Sequence, residues 1–275
     1  MSYSFSVIVS TFNSELWLHK VLIGFNNQTY KDFELIVADD GSNQKTRDLI
    51  KKIKHNVSYK LTHVWQPDRG FQKTIILNKA LLESNGNYIV FTDGDCIPRS
   101  DFLETHNKFK QNGFFLSGGY FKLNEYLSRL INIEDISSEN CFKYNWLRKK
   151  GLVNSIKNLK ILSKDTLAKI LNSITTTRPS WNGHNSSAWR KDIFSVNGFD
   201  ERMKYGGEDR ELGERLINFG IRPKQIRYSA ICLHLHHERS YVNENSWNLN
   251  NTIRLETRIK KLKWTNYGLV KDKTK

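Results

Sequence analysis

Cysteine is scarce: Cys96, Cys141 and Cys232 are the only three, far apart and in no CxxC pair. That usage excludes a disulfide framework and a zinc knuckle and fits a reducing compartment. Long apolar runs are missing, and none approaches the roughly 18 residues that a membrane-spanning helix needs. The opening MSYSFSVIVSTFN has no basic leader and reads as a first strand rather than a secretion signal. Acids are in deficit, with 28 Asp+Glu against 43 Lys+Arg and a formal net charge of +15. The excess points to an anionic partner (nucleic acid, an anionic membrane face or a phosphorylated substrate) without choosing among them. Internal repeats and low-complexity linkers are also absent.

What is present is a chain of 275 residues, 38% hydrophobic and 12% aromatic, enough for one large α/β domain or two small ones. Its first hundred residues alternate. The apolar run Phe5 to Val9 ends in Ser10-Thr11-Phe12-Asn13, and a helix follows with Leu16, Leu18, Val21, Leu22 and Phe25 on one face. The run Glu34 to Ala38 ends in Asp39-Asp40-Gly41-Ser42, ahead of a charged helix from Gln44 to Lys54. A third strand, Tyr59 to Trp65, precedes Arg69-Gly70 and a helix through Leu82, and Tyr88 to Thr92 leads into Asp93-Gly94-Asp95. Strands separated by helices at this spacing predict βαβ units and a Rossmann-like, mostly parallel sheet flanked by helices. Ligands of such sheets bind beyond the carboxyl ends of the strands, where Asn13, Asp39, Asp40, Asp93 and Asp95 gather.

Four segments carry chemistry. Asp93 and Asp95, one residue apart at a strand end, suit a hard divalent cation such as Mn2+ or Mg2+, against the bland reading of a solvated turn. Asp40 can accept from a nucleobase or ribose; alternatively Asp40 or Ser42 caps the next helix. In Gly206-Gly207-Glu208-Asp209 the glycines let backbone approach a ligand, and one acid can act as general base while the other orients a hydroxyl. The competing reading is acids at a helix start. In Leu233-His234-Leu235-His236-His237-Glu238-Arg239, strand alternation puts His234 and His236 on one face and His237 on the other, and one of the three could complete a metal shell.

Together these motifs resemble the family 2 glycosyltransferases and their GT-A fold. Ser10-Thr11-Phe12-Asn13 looks like the family's first-strand motif, with Ser10 where proline is usual. Val37 to Ser42 is close to the second-strand signature, and Thr92 to Asp95 matches the metal-binding DxD. The stretch Trp181 to Phe219 resembles a C-terminal module shared with β-1,4-galactosyltransferases and bacterial chondroitin-type polymerases. The DxD alone is unspecific; four motifs in family order are not. The resemblance implies an inverting, metal-dependent transfer of a sugar from a nucleotide-diphosphate donor, a UDP-sugar first, to a hydroxyl of a glycan or glycolipid such as lipopolysaccharide or capsule. It implies Thr11, Asn13, Glu15, Asp40, Arg69, Gly70, Asp93 and Gly94 around the nucleotide and Asp95 with His237, and Asp93 beside them, at the cation; another registration chooses His236. Asp209 would be the base and Glu208 its partner, with Trp181, Asn185, Gly206, Gly207 and Glu208 at the acceptor.

The implied organisation is a nucleotide-sugar-binding half over 1–140, a basic helical insertion over 141–180, an acceptor-binding and catalytic half over 181–240 and a basic helical tail over 241–275. Residues 141–178 carry nine Lys/Arg against Asp165 alone. One or two amphipathic helices are expected there, lying on an anionic membrane, packed on the sheet, or walling a groove for a phosphorylated or acidic acceptor. A cytoplasmic location with peripheral contact at the inner membrane face is expected. Two other classes compete with this reading. A sugar-phosphate nucleotidyltransferase needs a glycine-rich, Arg-containing loop after the first strand, where TFNSELW stands. A nucleic-acid-binding protein would use the charge, but no nucleic-acid motif accompanies it, so no nucleic-acid partner is expected.

Overall fold

A computed structural model describes residues 3–237 and 244–271. Glu238 and Arg239, at the end of the histidine-rich stretch, lie outside the described residues, as do 272–275. In chain order the elements begin β1 (Phe5–Thr11), α1 (Glu15–Asn26), β2 (Phe33–Asp39), α2 (Gln44–Lys54), β3 (Lys60–Trp65), α3 (Lys73–Glu83) and β4 (Tyr88–Asp93). They continue with β5 (Cys96–Pro98), α4 (Phe102–Phe109), β6 (Phe114–Ser117), β7 (Gly119–Lys122), α5 (Glu125–Leu130) and α6 (Ile133–Ser137). Next come α7 (Tyr144–Lys149), α8 (Leu159–Leu162), α9 (Asp165–Ile174), β8 (Ser186–Trp189) and α10 (Arg190–Ser195). The last are α11 (Glu208–Phe219), β9 (Arg222–Gln225), β10 (Ile231–His234) and α12 (Glu244–Ile259).

Seven strands form one sheet in the order β3-β2-β1-β4-β8-β6-β9, and β5-β10-β7 form a second. Strands β3, β2, β1 and β4 are mutually parallel; β8 runs antiparallel between β4 and β6. The chain therefore returns to the seven-stranded sheet through β8, and the segments before and after the insertion share that sheet. Strand alternation splits the core. Val7, Val9, Leu35, Val37 and Val90 join one buried cluster, while Ile8, Ile36, Ile89 and Phe91 join another on the opposite face. The order reverses between β1 and β4, and a crevice opens beyond their carboxyl ends.

Several local expectations change. Leu16 is exposed, so the buried face of α1 begins at Leu18. Helix α2 is capped by Asn43, which accepts from Lys45 N and Thr46 N, so neither Asp40 nor Ser42 caps it. Where one or two amphipathic helices are expected, residues 141–178 form the short helices α7, α8 and α9. Gly151 at φ +98° ends the α7 segment and extended Ser163 separates α8 from α9, leaving short pieces. The tail is helical only to Ile259; beyond it Asn197 donates to Thr265 O and Val270 O, holding the chain against the core.

Candidate active site

The crevice is a cleft of about 1230 Å3. Its β1 side is braced before any ligand arrives. Asn13 sits at φ +45°, receives Asn43 N–H on Oδ1 at 2.8 Å and donates its own N–H to Ser42 Oγ at 2.9 Å. Asp40, at the end of β2, accepts from Gln66 Nε2 at 2.7 Å and Gln72 N at 2.8 Å. Burial is the main cause that pushes the Asp40 carboxyl up to about 6, against those two donors. Thr11 Oγ1 is buried with no hydrogen-bond partner among the described residues, a polar atom left for a ligand.

The end of β4 carries two differently placed carboxylates. Asp93 Oδ1 accepts from Lys73 Nζ and from Ser10 Oγ, both at 2.7 Å. Burial would raise the Asp93 carboxyl, but Lys73 and Ser10 hold it below the usual carboxylate range. Burial likewise opposes the charge of Lys73, and Asp93, Glu208 and Asp209 together keep it protonated. Asp95 Oδ2 lies 3.1 Å from His237 Nε2. Asp95, His234 and His237 each present a ligand atom within 4.8 Å of the others. His234 Nδ1 is 2.9 Å from Leu235 O, which can only accept, so Nδ1 is the donor and Nε2 is the nitrogen left to meet a cation. This donor set fits a divalent cation, and two imidazoles favour Mn2+ over Mg2+.

The pairing of His234 with His237 differs from strict strand alternation. Strand β10 stops at His234, and the chain turns so that the two rings stack at 5.4 Å between centroids. His236 donates its backbone N–H to Ser128 Oγ and lines the cleft outside that group.

Across the cleft α11 begins at Glu208. Gly206 and Gly207 have φ of +113° and +85°, and a Cβ on Gly206 would come within 3.0 Å of Trp247. Glu208 Oε2 accepts from Gly206 N at 3.0 Å, and Asp209 Oδ2 accepts from Gly183 N at 3.0 Å. Burial first, and then Asp209, push the Glu208 carboxyl up to about 7.

Most expected residues thus converge: Thr11, Asn13, Asp40, Gly70, Asp93, Gly94, Asp95, His237, Gly206, Gly207, Glu208 and Asp209 line one cleft. Four do not line it. Trp181 is 1% exposed, packed against Phe91 and Phe115, because Gly213 leaves room for it beneath α11. Asn185 is fully buried and donates to Gly119 O and Ala230 O, tying the two sheets together. Arg69 is exposed beside the cleft, and Glu15 lies at the start of α1 outside its lining. Sequence reasoning missed Lys73 and His184. Burial lowers His184 to about 3, next to Asp93, so the ring is neutral. Lys73 opens α3 three residues after Gly70, a position that could have pointed to it.

Comparison with known proteins finds matches in both halves of the chain. Residues 6–128 match the model of glycosyl transferase family 2, and residues 173–238 that described as N-terminal domain of galactosyltransferase. The chain is 27% identical over 258 residues to the glycosyltransferase YfnE of Bacillus subtilis, covering 84% of this chain and 64% of that one. It is 24% identical over 235 residues to the chondroitin synthase of Escherichia coli, covering 78% and 32%. The chain therefore spans less than two thirds of the length of either relative. Among solved structures it resembles the mannosyltransferase PcManGT from Pyrobaculum calidifontis in complex with GDP-Man and Mn2+, at TM-score 0.61 and 20% identity over 95% of this chain and 64% of that one. It also resembles S. aureus TarS 1-349 in complex with UDP-GlcNAc, at TM-score 0.62 and 16% identity over 95% and 69%. Those likenesses show a GT-A fold. The chain thus carries a family 2 glycosyltransferase domain over residues 6–128, followed by a galactosyltransferase-type module over residues 173–238.

Proposed function

We propose that the chain moves a sugar from a nucleotide-diphosphate donor, a UDP-sugar in the first instance, to a hydroxyl of a glycan or glycolipid acceptor, with inversion. The observation that carries this reading is the convergence, in one cleft, of the Asp95–His234–His237 group, the Lys73–Asp93 pair and the Glu208–Asp209 pair. The neighbours solved with GDP-Man and Mn2+ and with UDP-GlcNAc support a nucleotide-sugar donor and a metal. In this reading Thr11, Asn13, Asp40 and Gly94 receive the nucleoside and Asp93 faces the ribose. Asp95, His234 and His237 would hold the cation, and Gly206 and Gly207 shape the acceptor side. The chemistry supplied there by a bound cation is neutralisation of charge on the leaving diphosphate.

The acceptor oxygen attacks the anomeric carbon, the bond from that carbon to the diphosphate oxygen breaks, and the hydroxyl proton passes to Asp209. Lys73, cationic between Asp93 and the two acids, adds positive charge on the donor side. Asp209→Asn keeps size and hydrogen bonding but not basicity, so turnover with a UDP-sugar and Mn2+ should fall at least about a hundredfold while UDP still binds. A specific observation favours a second base: the Glu208 carboxyl at about 7 is matched to proton transfer near neutrality. Collapse of turnover in Glu208→Gln with near-normal turnover in Asp209→Asn would move the base to Glu208. Normal turnover in both would remove this loop from the chemistry.

The acceptor we favour belongs to a surface polysaccharide such as lipopolysaccharide or capsule, reached from the cytoplasmic side by peripheral contact with an anionic membrane. Support comes from the α8–α9 edge, where Ile156, Leu167, Ile170 and Ile174 stand exposed among lysines.

A further inference from the structure

Behind the cleft lies a second cavity of about 730 Å3, and Tyr120, Lys160, Thr177, Arg227 and His236 line both. Part of its lining is apolar: Leu123, Leu127 and Leu152, with the exposed Val153 and Ile156. Lys122, Lys157, Lys160 and Arg227 also line it, and no Asp or Glu does. None of these four cations forms an ion pair among the described residues. Lys160 Nζ donates to Tyr120 O at 2.8 Å and lies 5.1 Å from the Tyr120 ring centre. Arg227 Nε is buried with no hydrogen-bond partner among the described residues. Burial, then the charges of Arg227 and Lys157, lower Lys160 to about 8. Like charges gathered without a carboxylate repel one another until an anion enters.

Lys160 and Arg227 stand where the two cavities join, and the apolar residues line only the second, away from Asp209. We propose that the second cavity seats a phosphate group carried by the acceptor, held by Lys160 and Arg227, with the hydrocarbon esterified to that phosphate lying along Leu123, Leu127 and Leu152. The acceptor is then a lipid-phosphate-linked saccharide whose reacting hydroxyl points into the main cleft. This rests on the sugar-transfer reading and adds to it the chemical class of the acceptor. Ile156, 85% exposed at the cavity mouth, is where the hydrocarbon leaves the protein.

Isothermal titration of the full chain with n-octyl phosphate below its micellar range, inorganic phosphate and n-octyl glucoside tests the assignment. Octyl phosphate is expected to bind at least about tenfold more tightly than either other probe. Lys160→Met and Arg227→Gln should each weaken it about tenfold, while UDP with Mn2+ binds both variants as it binds the wild type. Ile156→Glu, an exposed substitution that leaves folding alone, should weaken octyl phosphate but not inorganic phosphate. Octyl phosphate binding unchanged in all three variants overturns the proposal. Equal affinity for inorganic and octyl phosphate reduces the site to one for free phosphate and also overturns it. Parallel loss of UDP affinity in Lys160→Met and Arg227→Gln assigns the cations to the donor instead. Failure of UDP to bind the wild type with Mn2+ sinks the sugar-transfer reading and leaves the octyl phosphate comparison intact.

Discussion

Asp93 and Asp95 stand two positions apart and differ in nearly everything else. Asp93 is neutralised by Lys73 within the protein, whereas Asp95 faces two imidazoles, a partnership that invites a cation. Asp95→Ala should therefore keep the fold and weaken Mn2+-dependent UDP binding at least about tenfold, and EDTA should do the same to the wild type. Titration calorimetry with and without Mn2+ reads both; undiminished UDP binding in the variant would exclude Asp95 from the metal. Asp40 supplies a pH dependence of definite sign. Its pKa is raised from 3.8 to about 6 in the folded protein, so its contribution to stability is greatest below 3.8 and is lost as pH rises through 6. Binding runs the other way, because a nucleobase imide N–H needs the ionised carboxylate as acceptor. UDP affinity should fall as pH drops from 7 to 5, more steeply than in Asp40→Asn, whose difference from wild type removes the titration of the phosphate itself. Parallel curves would leave Asp40 without a role at the base.

At the scale of elements, α9 is unusual because Ala168 is its only buried residue, while Leu167, Ile170 and Ile174 face outward. Such a helix with Lys164 and Lys169 beside those residues can lie in a membrane interface, each cation adding about 1 kcal/mol on an anionic surface. Sedimentation should show binding that rises with anionic lipid, falls with salt, and weakens when Lys149, Lys150 and Lys169 become Glu. Equal recovery in the supernatant with neutral and anionic vesicles would leave this edge free of lipid. Elements also show what was legible in advance. Strands β1 to β4 could be read because their apolar runs and terminal acids are local in sequence. Trp181 and Asn185 could not be separated from ligand contacts, since their burial depends on Gly213 and on Gly119 and Ala230, far along the chain. Lys73 and His184 escaped for the same reason: their meaning comes from Asp93, brought to them by the sheet. The short pieces of 141–178 escaped because periodicity does not register where one helix breaks into three.

For the whole molecule, the two sheets divide the site between them. Thr11, Asp40 and Asp93 hang from the seven-stranded sheet, while Asp95 and His234 belong to the small one, into which Asp95 O is drawn by Leu235 N at 2.8 Å. Only Gly94, its N–H bonded to Ser10 O at 2.7 Å, separates the two aspartates in the chain. A nucleotide gripped by the large sheet and a cation gripped by the small one would act as a rivet through the seam. Neither component alone spans it. Amide exchange in β5, β7 and β10 should therefore slow when UDP and Mn2+ are present together, and much less with either one. Asp95→Ala should abolish that slowing, and equal protection by UDP alone would disprove the coupling. The substrate that the enzyme consumes would then be what fastens its two halves, so that each round of turnover ends with the seam loosened and the product free to leave.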